Sequence, residues 1–143
     1  LSIKEFNDIM KINVLSNKLI IDYLIKHKMF KNLIAISSGA ALKAYFGWSL
    51  YCVSKAAFKQ LVETYSIENK EFYFLNLAPG LVKSKMQKKI FNTDPKIIPS
   101  VSKFQKLYDE MDSPATVAEK IIKNQNHLLS FTSGSYFDIR DID

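Results

Sequence analysis

The chain has 143 residues, enough to bury the core of one domain, and its 48% hydrophobic and 24% charged content excludes a disordered or low-complexity protein. Its net charge of +6, from 20 basic and 14 acidic side chains, is spread along the sequence. The densest group, Lys83, Lys85, Lys88 and Lys89, reads as a solvated face, so a basic nucleic-acid binder is not expected.

Residues 3–28 contain no Gly or Pro, and Ile3, Phe6, Met10, Val14 and Leu24 recur near helical spacing. They predict one long helix. Lys31 and Asn32 form a turn, and residues 33–37 make a short apolar run of strand type. A loop with Gly39 and Gly47 follows. A second helix is predicted over 49–69, with Ser49 as its N-cap. Residues 72–77 form another apolar strand, broken by Pro79 and Gly80. Residues 84–110 read as irregular and partly helical, punctuated by Pro95 and Pro99. Asp112 or Ser113 caps a third helix with Pro114 at its first position, running to about Asn126. Residues 134–139 are a last strand.

Strands that alternate with helices predict an α/β fold with a parallel sheet. Both main strands are apolar on both faces, so the sheet needs cover on each side. The first two helices are expected over one face and the helix after Pro114 over part of the other. The first strand is expected to keep an open edge. No run of about 18 apolar residues is present, so no membrane partner is expected. Lys4, Glu5 and Asp8 interrupt any signal-peptide pattern. The start at Leu1 points to a fragment or a processed product. A single cysteine, Cys52, excludes an internal disulfide and fits a reducing, cytoplasmic setting. It reads as a small packing residue. His27 and His127 have no partners at ligand spacing, so no metal is expected.

Chemistry concentrates in residues 37–55. Tyr51 follows Ser38 by thirteen positions, and Lys55 follows Tyr51 by four, one helical turn. A free phenol ionises near ~10, and a neighbouring ammonium favours the phenolate, which suits proton exchange with a carbonyl or alcohol. Ser38 ends an apolar strand, at the carboxyl edge where open α/β sheets bind ligands. Pro79 and Gly80 end the next strand at the same edge.

These features resemble the short-chain dehydrogenase/reductase family, over nearly the whole chain and in its C-terminal part. The strings Ile36 to Ala41, Gly47 to Cys52 and Ser133 to Arg140 are most similar to the branch that contains sepiapterin and benzil reductases. The resemblance implies the C-terminal half of a Rossmann-like doubly wound parallel sheet over 1–143, with 84–110 as a substrate lid. It implies reduction of a small ketone or dicarbonyl with NADPH, less readily NADH. Tyr51 would donate the proton, Lys55 would support it and hold the nicotinamide ribose, and Ser38 would bind the carbonyl oxygen. Asn13 would keep a proton-relay water in place, with Asn17 as a rival. Pro79, Gly80, Val82 and Ser84 would face the nicotinamide. Ser38, Gly39, Trp48 and Met86 would meet the substrate, and Tyr45 and Phe46 are further candidates for an apolar pocket. Family members commonly dimerise through the two long helices, so a homo-oligomer through 3–28 and 49–69 is expected.

One element departs from the family pattern. The four glycines, Gly39, Gly47, Gly80 and Gly134, form no glycine-rich phosphate loop. The residue that sorts NAD from NADP is absent with it. Three expectations stand side by side: a piece of a longer reductase, a chain that pairs with a separate N-terminal piece, or a non-catalytic oligomerisation or interaction module built from a reductase. Activity of this chain alone is expected to be absent or slight.

Overall fold

The computed structural model describes residues 2–142. Its centre is a three-stranded parallel sheet in the order β1 (Asn32–Ile36), β2 (Tyr73–Ala78), β3 (Tyr136–Asp138). The expected α/β class and parallel sheet are both present. The helices are α1 (Ile3–Met10), α2 (Ser16–Lys26), α3 (Ser49–Glu68), α4 (Lys85–Phe91), α5 (Val101–Lys106), α6 (Pro114–Lys123) and α7 (Gln125–Leu128). None is long and apolar enough to cross a membrane.

Side chains along β2 alternate between two cores, as strand geometry requires. Phe74 points to one face, with Ala35 and Leu33 of β1, and meets Ile21 of α2 and Phe58, Val62 and Tyr65 of α3. Leu75 and Leu77 point to the other, where Leu128 of α7, Ile121 of α6, Ile139 and Phe137 close over them. Both predicted covers are therefore in place. α2 is also tied to α3 by a hydrogen bond from the Tyr65 hydroxyl to the Asp22 carboxylate. Burial, and then this acceptor, push the Tyr65 phenol up from its ordinary value.

Three boundaries differ from the sequence reading. The long first helix is interrupted by a π-helical turn over Lys11–Leu15, a bulge that a hydrophobic period does not reveal. The turn after it comes at His27 and Lys28, where Lys28 takes a left-handed φ of 51°. Asn32, read as part of that turn, already pairs with Tyr73. Trp48, not Ser49, occupies the N-cap of α3, and no side chain caps it. Ser113 does cap α6, accepting from the Thr116 N–H at 3.1 Å with Pro114 at the first position.

The register places the functional edge. Tyr73 N–H donates to the Lys31 carbonyl at 2.9 Å and Ser37 N–H to the Leu77 carbonyl at 2.7 Å. Odd-numbered residues of β1 thus turn their backbone toward β2, and Ile34 and Ile36 turn theirs to the outer side. Among the described residues β1 pairs with β2 alone, so that outer edge carries no strand.

Phe74 is fully buried between β1, α3 and Phe30, whose ring lies edge-on to it at 5.7 Å. Phe74→Ala should cost about 3–5 kcal/mol in a urea titration. Phe46→Ala, at an exposed position, should stay within about 0.5 kcal/mol. Equal midpoints for the two variants would refute this placement of the core.

Candidate active site

Ser38 leaves the end of β1 in extended conformation, and its Oγ accepts the Ala40 N–H at 3.2 Å. That bond starts a one-turn 3-10 helix over Gly39–Ala41 and leaves the hydroxyl proton free to donate. Tyr51 and Lys55 lie one turn apart in the first half of α3. The Lys55 ammonium stands 6.0 Å from the centre of the Tyr51 ring. It donates to the Ile36 carbonyl at 3.2 Å, at the outer edge of β1. Burial lowers the Lys55 ammonium below its ordinary value of 10.5.

Ser38, Tyr51 and Lys55 line one cleft of about 580 Å³ at the carboxyl end of the sheet. Gly39, Trp48, Pro79, Gly80, Val82, Ser84 and Met86 line it too. Gly80 adopts φ 72°, a left-handed value, and a Cβ there would press on the Arg140 side chain at 3.1 Å. Val82 bridges Asp112, which fastens the strand-end turn to the segment before α6. Ser84 caps α4, accepting the Gln87 N–H at 3.3 Å. Tyr45 and Trp48 pack on Phe104 of α5 at ring distances of 5.6 and 5.2 Å. Residues 84–110, which hold α4 and α5, thereby form one wall of the cleft.

Two expected residues stand elsewhere. Phe46 is exposed and outside the cleft lining; its carbonyl accepts the Ser100 hydroxyl at 2.8 Å, which ties the loop to the lid. Asn13 sits in the π turn, and its Nδ2 donates to Ser54 Oγ at 3.0 Å. Ser54 in turn donates to the Tyr51 carbonyl at 2.9 Å. Asn13 therefore reaches Tyr51 through the backbone of α3. Asn17 donates to the Asn13 carbonyl at 3.0 Å, so both asparagines belong to one network.

Sequence reading missed five polar residues. Ser54, fully buried, was marked only by a small polar residue next to Lys55. Ser37 and Gln87 line the cleft, yet nothing in the chain's pattern set them apart. Asp138 and Arg140 come from the end of β3. Burial alone would raise the Asp138 carboxyl, but hydrogen bonds from Arg140 at 2.8 and 2.6 Å hold it below its ordinary value. Tyr136, also in the lining, is pushed up to about 12 by burial and by Asp138. It stays a neutral phenol at physiological pH.

The family model for short chain dehydrogenase matches residues 1–95. The chain belongs to the short-chain dehydrogenase/reductase family. It is 34% identical to the benzil reductase ((S)-benzoin forming) of Bacillus cereus over 147 aligned positions, 95% of this chain and 58% of that protein. It is 34% identical to the sepiapterin reductase of Rattus norvegicus over 116 positions, 78% of this chain and 43% of that protein. A solved short chain dehydrogenase/reductase from Saccharomyces cerevisiae shares the fold with a TM-score of 0.87 at 21% identity, over 99% of this chain and 59% of that one. The chain thus spans about half the length of the relatives it matches.

A lysine whose ammonium is disfavoured by burial adds stability as pH rises toward 10.5, because the unfolded chain then binds the proton that the folded chain has released. Wild type should therefore gain stability relative to Lys55→Met as pH is raised from neutrality toward 10.5. Parallel urea midpoints at both ends of that range would show Lys55 ordinary and solvated.

Proposed function

We propose that this chain supplies the proton-transfer site of an NADPH-dependent carbonyl reductase acting on a small ketone or 1,2-dicarbonyl. The observation that carries this reading is the convergence of Ser38, Tyr51 and Lys55 on one cleft from β1 and α3.

The donors in that cleft fit the nicotinamide end of such a cofactor. Ser37 Oγ is buried in the lining without a hydrogen-bond partner among the described residues. Lys55 and Tyr51 would hold the ribose, and Pro79, Gly80, Val82 and Ser84 the nicotinamide. When bound, the reduced cofactor supplies hydride to the carbonyl carbon. The residues of the chain handle the oxygen. The Ser38 hydroxyl donates to the carbonyl oxygen and polarises it. The Tyr51 hydroxyl gives its proton to that oxygen as negative charge develops there, forming the alcohol. Lys55 stabilises the phenolate left on Tyr51. Asn13 steadies the turn of α3 that carries Tyr51, through Ser54. Trp48 and Met86 contribute apolar contact to the substrate, and α4 and α5 act as its lid.

A second reading rests on a separate observation. Ile12, Leu19 and Ile20 on the first helical segment are 68, 59 and 57% exposed. Such an apolar patch fits association with a second copy through α1, α2 and α3, either as the oligomer of the reductase or as a non-catalytic assembly module. Sedimentation should give a dimer that Ile20→Glu dissociates.

Reduction of 1-phenyl-1,2-propanedione by NADPH, followed by nicotinamide absorbance, tests the main reading. Tyr51→Phe should lower the rate by about 10²–10⁴. Equal turnover by wild type and Tyr51→Phe would refute the role of the phenol. A folded dimer with no turnover and no NADPH binding would mean either that the chemistry waits on a separate N-terminal piece or that the chain is the assembly module.

A further inference from the structure

Basic side chains run through the whole sequence, but acids balance them outside one stretch. From Lys83 to Lys106 the chain holds seven lysines and one acid, Asp94. That is a net of +6, the charge of the entire chain, while the other 119 residues carry 13 basic and 13 acidic side chains. The excess is therefore not spread along the sequence as the basic residues are. All seven lysines are exposed. Among the described residues only Lys83 of the seven meets a carboxylate, that of Asp109 at 4.0 Å. Glu110, the next acid, lines a separate hollow with Lys120 and Arg140.

The lid gathers these charges. Lys85, Lys88 and Lys89 follow one another by three and four positions along α4, while Gln87 takes its buried face. Lys103 and Lys106 are one turn apart on α5, while Val101 and Phe104 take its buried face. Gln105 donates to the Phe91 and Thr93 carbonyls at 2.9 and 2.8 Å, which clamps α5 to the end of α4. Like charges one turn apart oppose a helix, and Lys85 stands in the first turn of α4, where the helix dipole favours an acid. Apolar side chains stand among the lysines. The turn between the two helices is closed by hydrogen bonds from the Ile97 and Ile98 N–H to the Asp94 carbonyl. Ile98 packs on Gly47, its Cγ2 3.0 Å from where a Cβ would lie, whereas Ile97 is 71% exposed. Phe46, 69% exposed, is tied to the same segment through the Ser100 hydroxyl. Tyr45, Pro99, Ser100 and Leu107 form a shallow hollow of about 590 Å³ that Lys103 and Lys106 also line.

Exposed apolar tips among unpaired ammonium groups match a partner that is anionic at its surface and apolar just beneath. We propose that this face of the lid docks on an anionic lipid bilayer: the lysines meet the headgroups, and Ile97 and Phe46 enter the boundary below them. The phosphates of a nucleic acid would satisfy the lysines but offer the aliphatic Ile97 no apolar medium. No described helix is long and apolar enough to cross a membrane, and attachment at its surface needs none. The expectation of no membrane partner rested on spanning runs alone. Lys103 lines the cleft of Ser38 and Tyr51 as well as the hollow, so docking sets the mouth of that cleft at the bilayer.

Co-sedimentation of the chain with lipid vesicles is the test. Wild type should sediment with vesicles of phosphatidylcholine and phosphatidylserine mixed two to one, and stay in solution with phosphatidylcholine alone. Raising salt from about 0.1 to 1 M, which shortens the Debye length from about 10 to 3 Å, should release it. Lys88→Gln and Lys106→Gln should each weaken partitioning about fivefold. Ile97→Ser should weaken it too, while leaving binding to a generic RNA duplex unchanged. Lys70→Gln, between α3 and β2 at the opposite end of the sheet, should change partitioning by less than about twofold. These positions are all exposed, so the fold is kept, and circular dichroism checks it. Binding to neither vesicle, equal binding to both, equal losses from Lys70→Gln and Lys106→Gln, or full retention by Ile97→Ser would each overturn the proposal. Tighter binding to the RNA than to the anionic vesicles at equal salt would overturn it in favour of a nucleic-acid partner. None of these measurements involves NADPH or turnover, so the reductase reading stands or falls separately.

Discussion

The hydrogen bond from Ser37 N–H to the Leu77 carbonyl, at 2.7 Å, is the last rung between the two main strands. It sets where each chain leaves the sheet. One residue later Ser38 turns into its short 3-10 helix, and two residues after Leu77 the chain breaks at Pro79. Ser38 and the Pro79–Gly80 turn are neighbours because this rung exists. A slip of one residue would send Phe74 and Leu75 to the wrong faces and part the two halves of the cleft. The register is held by burial on both sides: Phe74 and Leu75 sit on opposite faces, and neither can reach solvent.

The second constraint is the pairing of the first helical segment with α3. Two polar links secure it, Asn13 to Ser54 near the site and Asp22 to Tyr65 farther along. Apolar packing of Ile21 against Phe58 and Val62 lies at the same interface. The π turn at Lys11–Leu15 lets Asn13 reach Ser54 without disturbing the packing on either side. Tyr51 and Lys55 thus stand on a helix anchored at both ends of this contact. The Lys55 contact with Ile36 joins the same helix to the open edge of β1, so the charge of the site and the edge of the sheet share one hydrogen bond.

Around this frame the cleft is asymmetric in chemistry. Its floor comes from strand ends and carries backbone groups, Ser37 and Ser38. Its far wall is lid, held down by aromatic packing of Tyr45 and Trp48 on Phe104 and by the Ser100–Phe46 hydrogen bond. The third side is the end of β3, where Asp138 and Arg140 satisfy each other. Gln87 is the exception on the lid, a buried side chain whose Oε1 has no hydrogen-bond partner among the described residues.

The sequence by itself determined the fold class, the two cores and the spacing that brings Ser38, Tyr51 and Lys55 to one cleft. Apolar runs on both faces require a covered parallel sheet, a Tyr and a Lys four apart share a helical face, and Pro114 behind Ser113 starts a helix wherever it lies. Local rules suffice for each of these. Only the tertiary structure decided what depends on atoms far apart in the chain. Asn13 meets Ser54 across 41 positions, a contact no periodicity encodes. Trp48 stands at the cap where Ser49 was expected, and its ring packs on Phe104 of the lid, a contact 56 positions away in the chain. Phe46 fell outside the cleft and is exposed, while its neighbour Tyr45 lines it. The loneliness of Gln87 is likewise invisible in sequence, because a residue is unpaired only with respect to everything folded around it.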